Sequence, residues 1–235
     1  MNRNEIHFWS AQIDGSDEEV AQLTQVLSTE EIDRAERYHF EKHKRRFIVS
    51  RGILRTLLST YLQRPPHQIE FRYGPKGKPY LADPLAESAV QFNLSHSENL
   101  AAYVVSFDVE VGVDIEVIRP IRDALSIARR FFAPAEFAEL QALPQSEQSE
   151  AFFACWTRKE AFIKATGDGL SRRLDQFAVS LKRGVKPQLV RLEENEGEAS
   201  LWTIHDIRPF QDAIAAVAAR THYPLVIRSW NDFRA

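Results

Sequence analysis

Val111-Gly112-Val113-Asp114-Ile115-Glu116-Val117 alternates without a break. In a β-strand, Val111, Val113, Ile115 and Val117 therefore share one face, and Gly112, Asp114 and Glu116 share the other. Two carboxylates two residues apart on one strand face repel each other unless a cation or solvent offsets them. An exposed edge strand would supply solvent. The β-branched residues around the pair instead predict a buried strand, and a buried pair of this kind calls for a bound cation. Oxygen donors without His or Cys suit Mg2+, or Mn2+, rather than zinc.

Downstream of this strand, Phe131-Phe132-Ala133-Pro134 opens a short helix that runs through Phe137 and Leu140, with proline suited to the first turn. Pro144 and the polar residues 145–150 read as a loop. The spacing then predicts a helix over 150–166 that buries Phe152, Phe153, Trp156 and Ile163. On it Glu160 and Lys164 stand at i and i+4 and so face the same way. Such a pair is either a surface contact worth a few tenths of a kcal/mol or, because Glu160 borders the apolar stripe, a charge that needs a partner. Gly167 and Gly169 supply the helix stop and a tight turn. Strands are expected at 177–181, 188–192, 201–207, 213–219 and 223–230, a stretch that reads as scaffold.

Upstream, Ser28 and Glu31 form a capping box before a short helix. A longer helix is expected over 42–62, with Phe47, Leu54, Leu58 and Tyr61 as its core stripe and Pro65-Pro66 ending it. Its first part carries Lys42, Lys44, Arg45, Arg46, Arg51 and Arg55 with no acidic residue, which is either a solvated face or a local positive field. Ile69, Phe71 and Tyr73 alternate as a half-buried strand. Gly74-Pro75-Lys76-Gly77-Lys78-Pro79 follows as a hairpin turn with two lysines, without Walker spacing. Residues 90–97 and 100–107 read as strands. Asn93, Ser95, His96 and Ser97 crowd polar groups into the first of them, and 106–110 is the expected junction between halves.

Composition bounds the answer. With 30 basic and 33 acidic residues the chain is neither a dedicated nucleic-acid binder nor a polybasic membrane anchor. The longest apolar run, 213–219, is far below the roughly 18 residues of a membrane span, and residues 1–10 hold no apolar signal core. The single Cys155 fits a reducing compartment, so a cytoplasmic location is expected.

Taken together, Val111-Gly112-Val113-Asp114-Ile115-Glu116 and Trp156-Thr157-Arg158-Lys159-Glu160-Ala161-Phe162-Ile163-Lys164 resemble the Sfp-like 4'-phosphopantetheinyl transferases. Gly77-Lys78-Pro79, Asn93-Leu94-Ser95-His96-Ser97, Phe131-Phe132 and Gly167-Asp168-Gly169-Leu170 reinforce the likeness, in order along the chain.

The resemblance implies an α+β fold of two pseudo-symmetric lobes, 1–110 and 111–235, with the active site in the cleft between them and one chain supplying both halves as a monomer. It implies transfer of the 4'-phosphopantetheine arm of coenzyme A to a serine of an apo acyl or peptidyl carrier protein, releasing adenosine 3',5'-bisphosphate. Asp114, Glu116 and Glu160 would hold Mg2+, with Mn2+ as a substitute, and Glu160 would also be the base for the carrier serine. Lys164 would offset pyrophosphate charge. Arg46, Arg51, Lys76, Lys78, Pro79, Ser95 and His96, with Asp114 and Lys164, would bind coenzyme A. Some relatives carry lysines just before the basic part of the first helix, where this chain has Glu30 and Glu31, and Arg34 and Arg37 are the available substitutes. A Mg2+-dependent nuclease or phosphohydrolase is the alternative, because clustered carboxylates with lysines also serve hydrolytic attack. Fatty-acid, polyketide and nonribosomal-peptide carriers are not ranked by the sequence.

Overall fold

The computed structural model describes residues 2, 4–82, 89–182, 184–193, 197–231 and 233. One succession of elements occurs twice. Strand β1 (Glu5–Gln12) is followed by helices α1 (Asp17–Thr24), α2 (Thr29–Glu36) and α3 (Glu41–Leu62), the hairpin β2 (Phe71–Tyr73) and β3 (Pro79–Leu81), and the hairpin β4 (Val90–Ser97) and β5 (Leu100–Phe107). Then β6 (Val111–Val117) is followed by α4 (Ala124–Phe131), α5 (Pro134–Gln141) and α6 (Gln145–Thr166), by β7 (Phe177–Val179) and β8 (Leu189–Leu192), and by β9 (Trp202–Ile207) and β10 (Ala213–Arg220). The chain is α+β, and its halves match in sheet order, β1-β5-β4 in one and β6-β10-β9 in the other.

The repeat extends to side chains. Both α3 and α6 end on a left-handed residue, Gln63 (φ 51°) and Gly167 (φ 76°). Eight residues before each stop lies a buried cation, Arg55 and Lys159. Arg55 donates to Glu31 of α2 and to the carbonyls of Pro66 and Ile69. Lys159 pairs with Glu136 of α5 at 2.8 Å and donates to the carbonyls of Leu174 and Phe177. Burial pushes the Glu136 carboxyl up despite Lys159. At Glu31 burial is overcome by Arg51 and Arg55, and the carboxyl is held below its ordinary value.

Four layers result: α3, the first sheet, the second sheet and α6. Leu54, Leu57 and Leu58 of α3 pack on Phe92, Tyr103 and Val105 of the first sheet. The other face of that sheet, with Ile6, Phe8, Ala102 and Val104, meets Val111, Val113, Ile115 and Val217 of the second. Phe152, Phe162 and Ile163 of α6 close the far side with Ile214, Ala216 and Ala218. The apolar face of β6 thus lies between the sheets, and its Gly112, Asp114 and Glu116 face is turned to α6. Gly112 permits the approach, since a Cβ there would lie 2.2 Å from the Ala161 carbonyl oxygen and 2.3 Å from the Ala165 nitrogen.

The strands expected at 90–97, 100–107 and 111–117 and the long basic helix form as the periodicity indicates. Several expectations need correction. Residues 145–150 are the first turns of α6, not a loop: Pro144 sits at the N-cap, where its missing N–H costs nothing, and Gln145, Glu147, Gln148 and Glu150 are good helix formers. The α3 stop is the left-handed Gln63, and Pro66 begins a single 3-10 turn rather than breaking the helix. Strand β2 starts only at Phe71, and Tyr73 on it is exposed. Helix α4 was not anticipated.

The last strand, β11 (Val226–Trp230), leaves the second half and pairs in parallel with β1, at the outer edge of the first sheet. Trp230 stacks on Trp9, with ring centroids 4.4 Å apart, and Arg228 binds Glu5. Among the described residues no helix is long and apolar enough to cross a membrane.

Candidate active site

Strands β4 and β6 are the edges of their sheets and meet side by side along the seam between the halves. Alternate residues of β4 reach across it. Asn93 Oδ1 accepts from the Val113 amide at 3.0 Å, Ser95 donates to Asp114 Oδ1 at 2.8 Å, and Ser97 donates to Glu116 Oε2 at 2.6 Å. From the other side, Lys164 of α6 places its ammonium 2.6 Å from Asp114 Oδ1 and 2.6 Å from the Ser95 hydroxyl.

Glu160 lies one turn before Lys164, half-buried. Burial raises its pKa first, and the charges of Asp114 and Glu116 raise it further against Lys164. Glu116 is likewise raised, by burial and then by Asp114, with the Ser97 hydroxyl opposing. The three carboxylates sense one another, yet among the described residues no trio of carboxylates, imidazoles or thiols closes into a set of metal ligands. Like charges hold apart where only one ammonium lies among them.

The chemistry of the donors nonetheless fits a hard cation. All are oxygens, and Asp114 Oδ2 is buried with no hydrogen-bond partner among the described residues. An acceptor so placed costs free energy unless something positive meets it.

A cavity of about 640 Å3 opens beside this cluster, lined by Arg34, Tyr38, Arg46, Phe47, Arg51, Tyr73, Ser95, His96 and Lys164 among others. A second, of about 280 Å3, is lined by Lys76, Lys78, Pro79, Asn93, Glu160 and Gly169. The two share Gly77, Pro79, Leu94 and Lys164, so Lys164 stands where the cation-lined cavity meets the carboxylates. The surrounding protein, and then Lys164, hold His96 below the ordinary imidazole pKa.

The basic run of α3 is largely neutralised. Lys44 pairs with Glu36, Arg45 with Asp17, Arg46 with Asp14, and both Arg51 and Arg55 with Glu31. Of these cations only Arg46 and Arg51 line the larger cavity. Arg46 is gripped by both oxygens of Asp14 at 2.5 and 2.9 Å, which lowers the Asp14 pKa. Arg51 also donates to the Tyr73 hydroxyl and lies over the Phe71 ring.

Glu31, buried, is the core partner of two guanidiniums. Lys78 turns from the hairpin to α6 and donates to the Ala165 carbonyl at 2.7 Å, its pKa lowered by burial. Lys76 packs against Gly169, where a Cβ would come within 2.8 Å of its own.

A model of the 4'-phosphopantetheinyl transferase superfamily matches residues 110–218, and one of the 4'-phosphopantetheinyl transferase N-terminal region matches residues 11–107. The 4'-phosphopantetheinyl transferase HetI of Nostoc sp. is 40% identical over 215 residues, 92% of this chain and 87% of that protein. The chain belongs to the 4'-phosphopantetheinyl transferase family. Two members from Bacillus subtilis bear the same relation to it. The transferase ffp is 33% identical over 89% of each chain, and Sfp is 34% identical over 71% of each.

In this member of the transferase family, sequence reasoning singled out Asp114, Glu116, Glu160, Lys164 and Ser95; the fold joins Asp114, Ser95 and Lys164 directly and sets Glu116 two residues along β6 and Glu160 one turn before Lys164. It missed the work of Asn93 and Ser97 in the seam, although their alternation with Ser95 was visible. It also missed Tyr73, which becomes a cavity wall only through the hairpin.

Proposed function

We propose that the protein transfers the 4'-phosphopantetheine arm of coenzyme A to a serine of an apo acyl or peptidyl carrier protein. The observation that carries this reading is the join at Lys164 between a cation-lined cavity and three carboxylates. Coenzyme A would lie along the two cavities, its phosphates toward Arg46, His96 and Lys164. Arg51 and Lys78, engaged with Glu31 and with the Ala165 carbonyl, would form wall and floor, and Lys76, Pro79 and Ser95 would complete the lining.

Asp114, Glu116 and Glu160 would hold Mg2+, with Mn2+ as a substitute, and the bound cation would neutralise pyrophosphate charge. Glu160 is the base. It takes the proton of the carrier serine as that oxygen bonds to the phosphorus bearing pantetheine, and the anhydride P–O bond breaks to release adenosine 3',5'-bisphosphate. Lys164, fixed by Asp114 and Ser95, presents positive charge without reorganising during the step. The lobes 1–110 and 111–235 would act as one monomer in the cytoplasm, tied by β11.

The test is to incubate the protein with coenzyme A, Mg2+ and several apo carriers and to follow intact carrier mass. A carrier that gains the arm is the expected result. No gain on any carrier, with coenzyme A demonstrably bound, refutes the reading.

A further inference from the structure

We infer that Ser97 is a positioning residue that aims the Glu116 carboxylate at the cation site; this rests on the transferase reading above. The argument concerns where a single hydroxyl proton points. A serine hydroxyl has one proton to donate and rotates to suit its neighbours. Ser97 Oγ accepts the Val117 amide at 3.3 Å, and its own proton is thereby left for Glu116 Oε2 at 2.6 Å.

Ser95 is locked by the same logic. Its oxygen accepts from the Lys164 ammonium at 2.6 Å, and its proton goes to Asp114 Oδ1 at 2.8 Å. Each serine thus takes a donor and passes its proton to one carboxylate of the facing strand. Asn93, accepting from the Val113 amide, fixes the register that sets the two serines opposite the two acids.

Without Ser97, the one ion pair left to Glu116 among the described residues is with the Arg119 guanidinium, at 3.9 Å and on an exposed side chain. The side chain would then sample several rotamers, and a cation would have to order it. Outer hydrogen-bond partners of metal ligands are typically worth about 10- to 100-fold in metal affinity or activity.

The experiment titrates Mn2+ into protein saturated with coenzyme A, without carrier, and reads free Mn2+ by electron paramagnetic resonance against coenzyme A alone. Parent, Ser97→Ala and Ser97→Thr are compared, and coenzyme A affinity is measured in metal-free buffer. The expected result is Mn2+ affinity about 10- to 100-fold weaker in Ser97→Ala, restored in Ser97→Thr, with metal-free coenzyme A affinity unchanged in both. Equal Mn2+ affinity in Ser97→Ala and parent overturns the inference and leaves the transferase reading standing. Loss of metal-free coenzyme A binding in Ser97→Ala also overturns it, because Ser97 would then support the fold rather than one carboxylate. A parent that binds no Mn2+ defeats the cation site, and the inference with it.

Discussion

Gly112→Ala tests how the site is assembled. The added Cβ would meet the Ala161 carbonyl oxygen at 2.2 Å and the Ala165 nitrogen at 2.3 Å, both backbone atoms of α6, so no side chain can swing aside. Reaching the ordinary contact distance of 3.4 Å requires β6 and α6 to separate by about 1.2 Å. Overpacking typically costs about 1–3 kcal/mol, and a clash between two backbones belongs at the upper end, about 3 kcal/mol.

The same displacement carries Lys164 and Glu160 away from Asp114, breaking a 2.6 Å ammonium contact. A misplacement of about 1 Å costs on the order of 100-fold in rate. Urea unfolding followed by circular dichroism measures the first quantity, and single-turnover arm transfer measures the second. A Gly112→Ala protein within about 0.5 kcal/mol of the parent, transferring at the parental rate, would refute the close strand–helix contact as the basis of the site.

Three further outcomes follow from the geometry. Glu160→Gln should lower the transfer rate about 10²- to 10⁴-fold while coenzyme A affinity by calorimetry in metal-free buffer is retained; a parental rate would remove Glu160 as the base. Lys159→Met leaves Glu136 buried without its cation and should cost about 3–5 kcal/mol in chemical denaturation, whereas a neutral result would mean that Glu136 is already uncharged. The Glu5 carboxyl is held down to about 2 by the Asn2 amide and then by Arg228. Because its folded pKa is depressed, its contribution is present above the unfolded value of 4.5 and is lost as pH falls toward 2, so hydrogen exchange in β11 should rise across that window and Glu5→Gln should abolish the step.

The parts that were legible in the sequence are those whose signal is local. The alternation of Val111–Val117 gave the strand, its faces and the paired acids, and the i, i+4 spacing of Glu160 and Lys164 put both on one helix face. What could not be read depends on partners far along the chain. The six cations of residues 42–55 looked like a field because the carboxylates that pair with five of them, Asp14, Asp17, Glu31 and Glu36, lie in preceding segments. That Lys78 reaches the Ala165 carbonyl could not be read, because nothing near it in the sequence announces that acceptor. The departure of β11 to the first sheet leaves no mark on its own residues. The repeated succession of elements is also invisible residue by residue, since it is carried by burial and topology, with arginine in one half doing what lysine does in the other.

The central claim is that one side of the coenzyme A pyrophosphate goes to a carrier serine and the other is released. Coenzyme A labelled with one isotope in pantetheine and another in adenosine tests this directly in the presence of an apo carrier. The account predicts the pantetheine label on the carrier, absent from a carrier whose acceptor serine is replaced by alanine, and the adenosine label in solution as the 3',5'-bisphosphate. Both labels released into solution with the carrier unmodified would show a phosphohydrolase and contradict the account.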